Sequence, residues 1–182
     1  MIGNWDLSSY FSEFDGPEMK SFKSDLENDI ASLLKTASGL DSLSDDTASE
    51  WEAVILAFED LSIRLYHIWS YVGCLSAADS KNEAYQKEEA ELTRTGAEFE
   101  KLGVELLRSV KEVSDTVFEA FTARKAFEGV TYALDRIRRE SKYMMSSDRE
   151  ALAADLGVDG IAAWGRLYDT VSGKLEFDMQ FP

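Results

Sequence analysis

Between Pro17 and Pro182 the chain contains no proline. Proline deletes an intrahelical hydrogen bond and collides with the preceding turn, so its absence leaves the interior open to long helices. Trp51, Val54, Ile55, Phe58, Leu61, Leu65, Ile68, Trp69, Val72 and Leu75 recur at intervals of three and four. That is the repeat of one helix face, and it persists for about seven turns. Ser44-Asp45-Asp46 ahead of the run are N-cap residue types, and Ala78-Asp79-Ser80-Lys81-Asn82 interrupts it. The spacing predicts one helix over about 44–79. A second is predicted over about 81–113, with Tyr85, Leu92, Phe99, Leu102, Leu106, Val110 and Val113 inward. So short a connection leaves an antiparallel hairpin as their packing.

Shorter elements are predicted around this pair. Residues 1–14 read as an extended lead-in anchored by Trp5, Leu7, Tyr10, Phe11 and Phe14. Pro17 suits the first turn of a helix, along which Met19, Phe22, Leu26, Ile30, Leu33 and Leu34 lead to Gly39, a candidate C-terminal cap. After Ser114-Asp115 a short helix turns Phe118 and Phe121 inward, and another spans roughly 125–143 with Phe127, Val130, Leu134 and Ile137 inward. Ser147 and Glu150 have the spacing of a capping box and open a helix ending at Gly157. A last helix, 160–172, carries Ile161, Trp164, Leu167, Tyr168 and Val171.

The period then changes. Leu175, Phe177, Met179 and Phe181 alternate with Glu176, Asp178 and Gln180, the pattern of a strand with one apolar face. The expected fold is therefore all-α: an antiparallel bundle with two long central helices plus shorter ones over 1–173, and one C-terminal β-strand, 174–182, leading out of the domain. A lone strand cannot satisfy its own backbone, so it is expected to mark a domain boundary and to pair with further residues or with a second copy.

Charge narrows the function. Lys and Arg number 19 against 35 Asp and Glu, a formal net charge of −16, which disfavours a phosphate backbone. The one dense basic stretch, Arg136, Arg138, Arg139 and Lys142, is flanked by Asp135 and Glu140 and reads as a solvated helix face. The most apolar stretch, 51–76, holds Glu52, Glu59, Asp60, Arg64 and His67, charges too costly for a bilayer core. Met1 to Leu7 has no basic segment followed by an apolar run, so no signal peptide is expected. Cys74 is the only cysteine, which excludes an internal disulfide and fits a reducing, cytoplasmic setting. In an apolar helix it reads as a small buried residue.

No catalytic, cofactor-binding or metal residue stands out. His67 is the only histidine, and neither H-E-x-x-H nor a pair of E-x-x-H motifs occurs. It reads as a packed or solvated helix residue. Asp45-Asp46 and the Glu88, Glu89, Glu91 group read as caps and solvated faces. Gly157, Gly160 and Gly165 form no phosphate loop, and Met144-Met145 reads as core filling. No cofactor is expected in this chain.

Three stretches in order resemble the N-terminal domain of the oligoendopeptidase F family, thimet oligopeptidase-like zinc endopeptidases of the cytosol that cut short peptides. Trp5-Asp6-Leu7-Ser8-Ser9-Tyr10-Phe11 resembles that family's opening segment. The Tyr71 to Asn82 junction resembles its turn between two long helices. Met145-Ser146-Ser147-Asp148-Arg149-Glu150, Gly157 and Ala163-Trp164-Gly165-Arg166-Leu167-Tyr168-Asp169 are similar to its L-S-x-x-x-E … G … A-W-x-x-L-Y stretch, with Met145 in place of leucine, and Leu175 to Phe181 to the strand that follows.

The resemblance implies a parent peptidase that binds one zinc through two His and a Glu, in a catalytic domain with no counterpart in these 182 residues. This domain would pack on that catalytic domain and help form a channel for short peptides, breaking no bond itself. The alternative is a free-standing acidic helical interaction module that binds a basic partner. The purified chain is expected to cleave no peptide and to hold no stoichiometric zinc. Elemental analysis finding one chelator-removable zinc per chain would contradict this.

Overall fold

The computed structural model describes residues 5–175. Its helices are α1 (Pro17–Ser38), α2 (Ala48–Ala78), α3 (Glu83–Val110), α4 (Asp115–Thr122), a 3₁₀ turn (Lys125–Phe127), α5 (Thr131–Ser141), α6 (Ser147–Asp159) and α7 (Ile161–Gly173). The all-α expectation holds among the described residues.

α2 and α3 form the expected antiparallel hairpin across the Asp79–Asn82 link. Phe58 stacks on Phe99 with centroids 4.6 Å apart, and nearer the open end Leu43 N–H donates to Ser109 O at 2.9 Å. Pairing thus runs backwards along α3 as α2 advances. α1 packs against both helices. Leu26 and Ile30 of α1, Leu61, Leu65, Ile68 and Val72 of α2, and Leu92, Leu102 and Leu106 of α3 make the dry centre. At one end, Phe118, Phe121 and Phe127 extend it under α4 and α5. At the other, Phe11 enters it, with ring contacts to Phe22, His67 and Tyr71 at 5.1–5.3 Å. Tyr10 and Phe14 pack beside it, but Trp5 is exposed and anchors nothing.

Several boundaries move for local reasons. α2 begins at Ala48, four residues past the expected start. Ser44 and Thr47 exchange bonds first: Ser44 N–H donates to Thr47 Oγ1 at 2.9 Å, and Thr47 N–H to Ser44 Oγ at 3.3 Å. Hydroxyls that bond locally compete with the helix. α3 starts on the Asn82 cap, whose side chain accepts from Ala84 N–H at 3.0 Å. The helix expected over 125–143 is split because Gly129 takes φ +87, a left-handed conformation that breaks the ladder.

The capping box at Ser147 does not form. Ser146 is the N-cap, and Glu150 Oε1 accepts from Met145 N–H at 2.7 Å. α6 runs through Gly157 and stops at Gly160, where a Cβ would lie 2.8 Å from Leu156 O. A side chain cannot occupy that bend, so α6 and α7 meet at a glycine.

The C-terminal strand is corrected. Among the described residues there is no strand. α7 continues to Gly173, and the Lys174 and Leu175 N–H groups donate back to Val171 O and Ser172 O at 3.2 Å. The start of the expected strand is therefore a helix end, whose backbone bonds are already used locally. Residues 176–182 lie outside the described residues.

Leu65 is 4% exposed within the α1–α2–α3 centre. Leu65→Asp places an unpaired carboxylate there and should cost roughly 4 kcal/mol or more. Chemical denaturation showing wild-type stability would contradict the assignment of the α2 stripe.

Candidate functional site

The residues singled out in the sequence do not converge. His67 is half-buried, with Tyr10, Phe11 and Phe22 rings around it and its Nε2 3.3 Å from Tyr10 O. Cys74 is exposed rather than buried. Met145 is also exposed, so the Met pair does not fill the core. Arg138 is held by Val113 O and Asp115 and lies 4.5 Å from the Phe118 ring, while Arg136 pairs with Glu140 at 3.2 Å. Asp45 and Asp46 are exposed in the turn before α2. Among the described residues no three His, Cys, Asp or Glu side chains are grouped to hold a metal ion.

The acidic stretch on α3 is not simply solvated. Lys23 of α1 reaches between Glu88 and Glu91 at 2.7 Å to each, and the Lys23 and Glu88 side chains are 17% and 14% exposed. Burial works against the Lys23 charge, but the bonds to the two carboxylates outweigh it and hold its pKa above the ordinary value. The bond from Lys23 holds the Glu91 carboxyl below its ordinary value, with burial opposing. The network clamps α1 to α3.

The feature that departs most from the sequence reading is the outer surface of α6 and α7. Neither helix buries a residue fully. Each turns its small residues inward and its bulky ones outward. In α6 the half-buried positions include Ala151, Ala154, Gly157 and Val158, while Leu152 and Leu156 are exposed. In α7 Ala162, Ala163 and Arg166 are half-buried, while Ile161, Trp164 and Tyr168 are 89%, 71% and 72% exposed, with Leu167 and Val171 also outward. The apolar stripe read as a core face is thus the solvent face. α6 packs on α3 and α7 packs on α6, while a crevice floored by Gly96 and Ala97 stays open beside α7. Arg166 fastens α7 by donating to Thr93 Oγ1 at 3.1 Å and Val158 O at 3.2 Å, and Lys101 fastens α6 through Asp155 at 2.7 Å. The segregation of Ala and Gly from Trp, Tyr and Leu on two faces is the signal in the sequence that marks these helices.

Residues 110–177 match the family model for the peptidase M3 N-terminal domain, described as oligopeptidase F. Over that segment the chain is similar to the N-terminal domain of oligopeptidase F. The match supports the resemblance read from the sequence, and it spans α4 to α7, the stretch that bears the exposed apolar surface. No curated protein and no solved structure matches the chain significantly. Among the described residues no helix is long and apolar enough to cross a membrane.

Lys23→Met should cost about 1–3 kcal/mol at neutral pH, because Glu88 loses its ion-pair partner while half-buried and Glu91 keeps only Lys87, at 3.8 Å. The sign of the pH effect follows from the shifts. The depressed Glu91 contributes stability above the ordinary carboxylate range and loses it as the pH falls. The raised Lys23 loses its contribution only as the pH rises through its elevated value. Urea titrations of the two proteins should therefore converge in acid. A gap that persists at pH 3 would show that the charge is not the cause.

Proposed function

We propose that this chain is the non-catalytic N-terminal helical domain of a zinc-dependent oligoendopeptidase. In this reading it seats on the catalytic domain of the same protein through the bulky face of α6 and α7. It forms part of a channel that admits short peptides and excludes folded proteins. The observation that carries the reading is the coincidence of two facts: residues 110–177 match the oligopeptidase F model, and that segment holds Leu152, Leu156, Ile161, Trp164, Leu167, Tyr168 and Val171 in the open.

Large apolar side chains exposed together on one helix pair point to an interaction site, and here they fall within the segment that matches the oligopeptidase F model. Zinc, bound in the catalytic domain, supplies the activated water for peptide hydrolysis. This chain's part is steric: its rigid three-helix body holds α6 and α7 at a set position, and the channel it helps enclose limits the length of substrate that reaches the metal.

Trp164→Asp tests this in two settings. In the chain by itself the residue is exposed, and the melting temperature should stay within about 2 °C of wild type. In the whole peptidase the charge faces the catalytic domain. Docking should loosen, read as faster nicking between the domains by an added protease and as cleavage of longer peptides than the wild type accepts. An unchanged length limit together with unchanged nicking would sink the proposal.

A further inference from the structure

The crevice between α2, α3, α6 and α7 adjoins the bulky face of α6 and α7 and shares Ile161 with it. It has a volume of about 390 Å³ and is floored by Thr93, Gly96 and Ala97 of α3. Trp69 of α2 forms part of one wall and Ile161 and Gly165 of α7 part of the other. The Trp69 indole lies across the α3 backbone: a Cβ on Gly96 would come within 3.5 Å of its six-membered ring. The ring is 38% exposed and offers its remaining surface to the crevice.

The lining is acidic. Glu89, Glu100 and Asp169 line it against one cation, Arg166, whose guanidinium is turned to Thr93 Oγ1 and Val158 O. Among the described residues none of these three carboxylates has an ion-pair partner, whereas Glu88 and Glu91 on the next face of α3 are both taken by Lys23. The crevice continues past Glu89 and Asp169 into a smaller recess that Ser76 also lines, and Ser76 Oγ is buried there without a partner. Glu89 and Glu100 stand eleven residues apart on one helix, hence about 16 Å at 1.5 Å per residue. An extended peptide covers that distance in about five residues.

Charge selects the occupant. A second copy of the chain brings a net charge of −16 and is repelled. The chain's own residues 176–182 contribute Glu176 and Asp178 and no Lys or Arg. We propose that the crevice is a docking site for a basic peptide segment. Its Lys or Arg side chains, about five residues apart, meet Glu100 at one end and Glu89 with Asp169 at the other, and its apolar residues lie on Trp69. The acidic field of the whole chain favours the approach of such a segment. The site does not depend on the peptidase reading and can fail or stand separately from it.

The test uses the full chain and a labelled, end-blocked hexapeptide, Lys-Ala-Leu-Ala-Leu-Lys, followed by fluorescence anisotropy at about 0.05 M salt, where exposed charges are least screened. The peptide should bind saturably, and its counterpart with Glu at both ends about tenfold more weakly or not at all. Gly165→Leu fills the crevice at a position where an added Cβ meets nothing within 4 Å. It should weaken binding about tenfold with no loss of melting temperature, since Leu is the better helix former. Glu100→Lys should weaken it comparably by an independent route. Equal binding of the acidic peptide, no binding of the basic one, insensitivity to both substitutions, or equal competition by spermidine would each overturn the proposal. So would concentration-dependent dimerisation in sedimentation that closes the crevice.

Discussion

The apolar stripe of α2, buried between α1 and α3, is the interaction on which the rest of the molecule depends. Leu61, Leu65, Ile68 and Val72 are each less than 5% exposed and contact a partner helix on either side. Burial of a Leu or Ile side chain contributes about 1.5–3 kcal/mol, so this row is a concentrated source of stability. It also sets geometry. Arg108 of α3 donates to Ala37 O and Leu40 O at the end of α1 and lies 5.8 Å from the Trp51 ring of α2, whose Nε1 donates to Asp41 O. Three helix ends are fastened at one point, where carbonyls at and just past the end of α1 meet a cation.

A rigid α3 follows from that anchoring, and α3 is the floor for everything that could be functional. α6 packs along its far face, where Gly96 and Ala97 floor the open space beside α7. The same small residues leave room beside Trp69 for the acidic crevice. One surface is apolar and broad, the other concave and charged. They differ because Trp164, Leu167, Tyr168 and Val171 of α7 face solvent, while Ile161, Arg166 and Asp169 line the crevice.

Much of the helical order was legible in the sequence because periodicity reports which residues share a face, and α1, α2 and α3 each bury the face that their spacing marks. The Ser114 cap was legible as a residue type that suits a cap, but the end of α6 was placed at Gly157, three residues short of the bend at Gly160. The C-terminal strand was misread: where it was expected to begin, the Lys174 and Leu175 N–H groups donate to Val171 O and Ser172 O, carbonyls in the last turn of α7. The capping box was misread by one residue because Glu150 reached Met145 N–H.

The apolar stripe of α7 looks the same in sequence whether it is buried or exposed. Periodicity names a face, and only packing says what covers it. The sequence by itself determined the all-helical order, the hairpin of two long helices, the acidity and the likeness of residues 110–177 to oligopeptidase F, because these depend on residue type and spacing along one chain. The tertiary structure decided that small residues, and not large ones, face α3. It also decided that Lys23 takes Glu88 and Glu91 while Glu89, Glu100 and Asp169 stay unpaired. Those outcomes rest on distances between residues far apart in the chain, which local spacing does not encode.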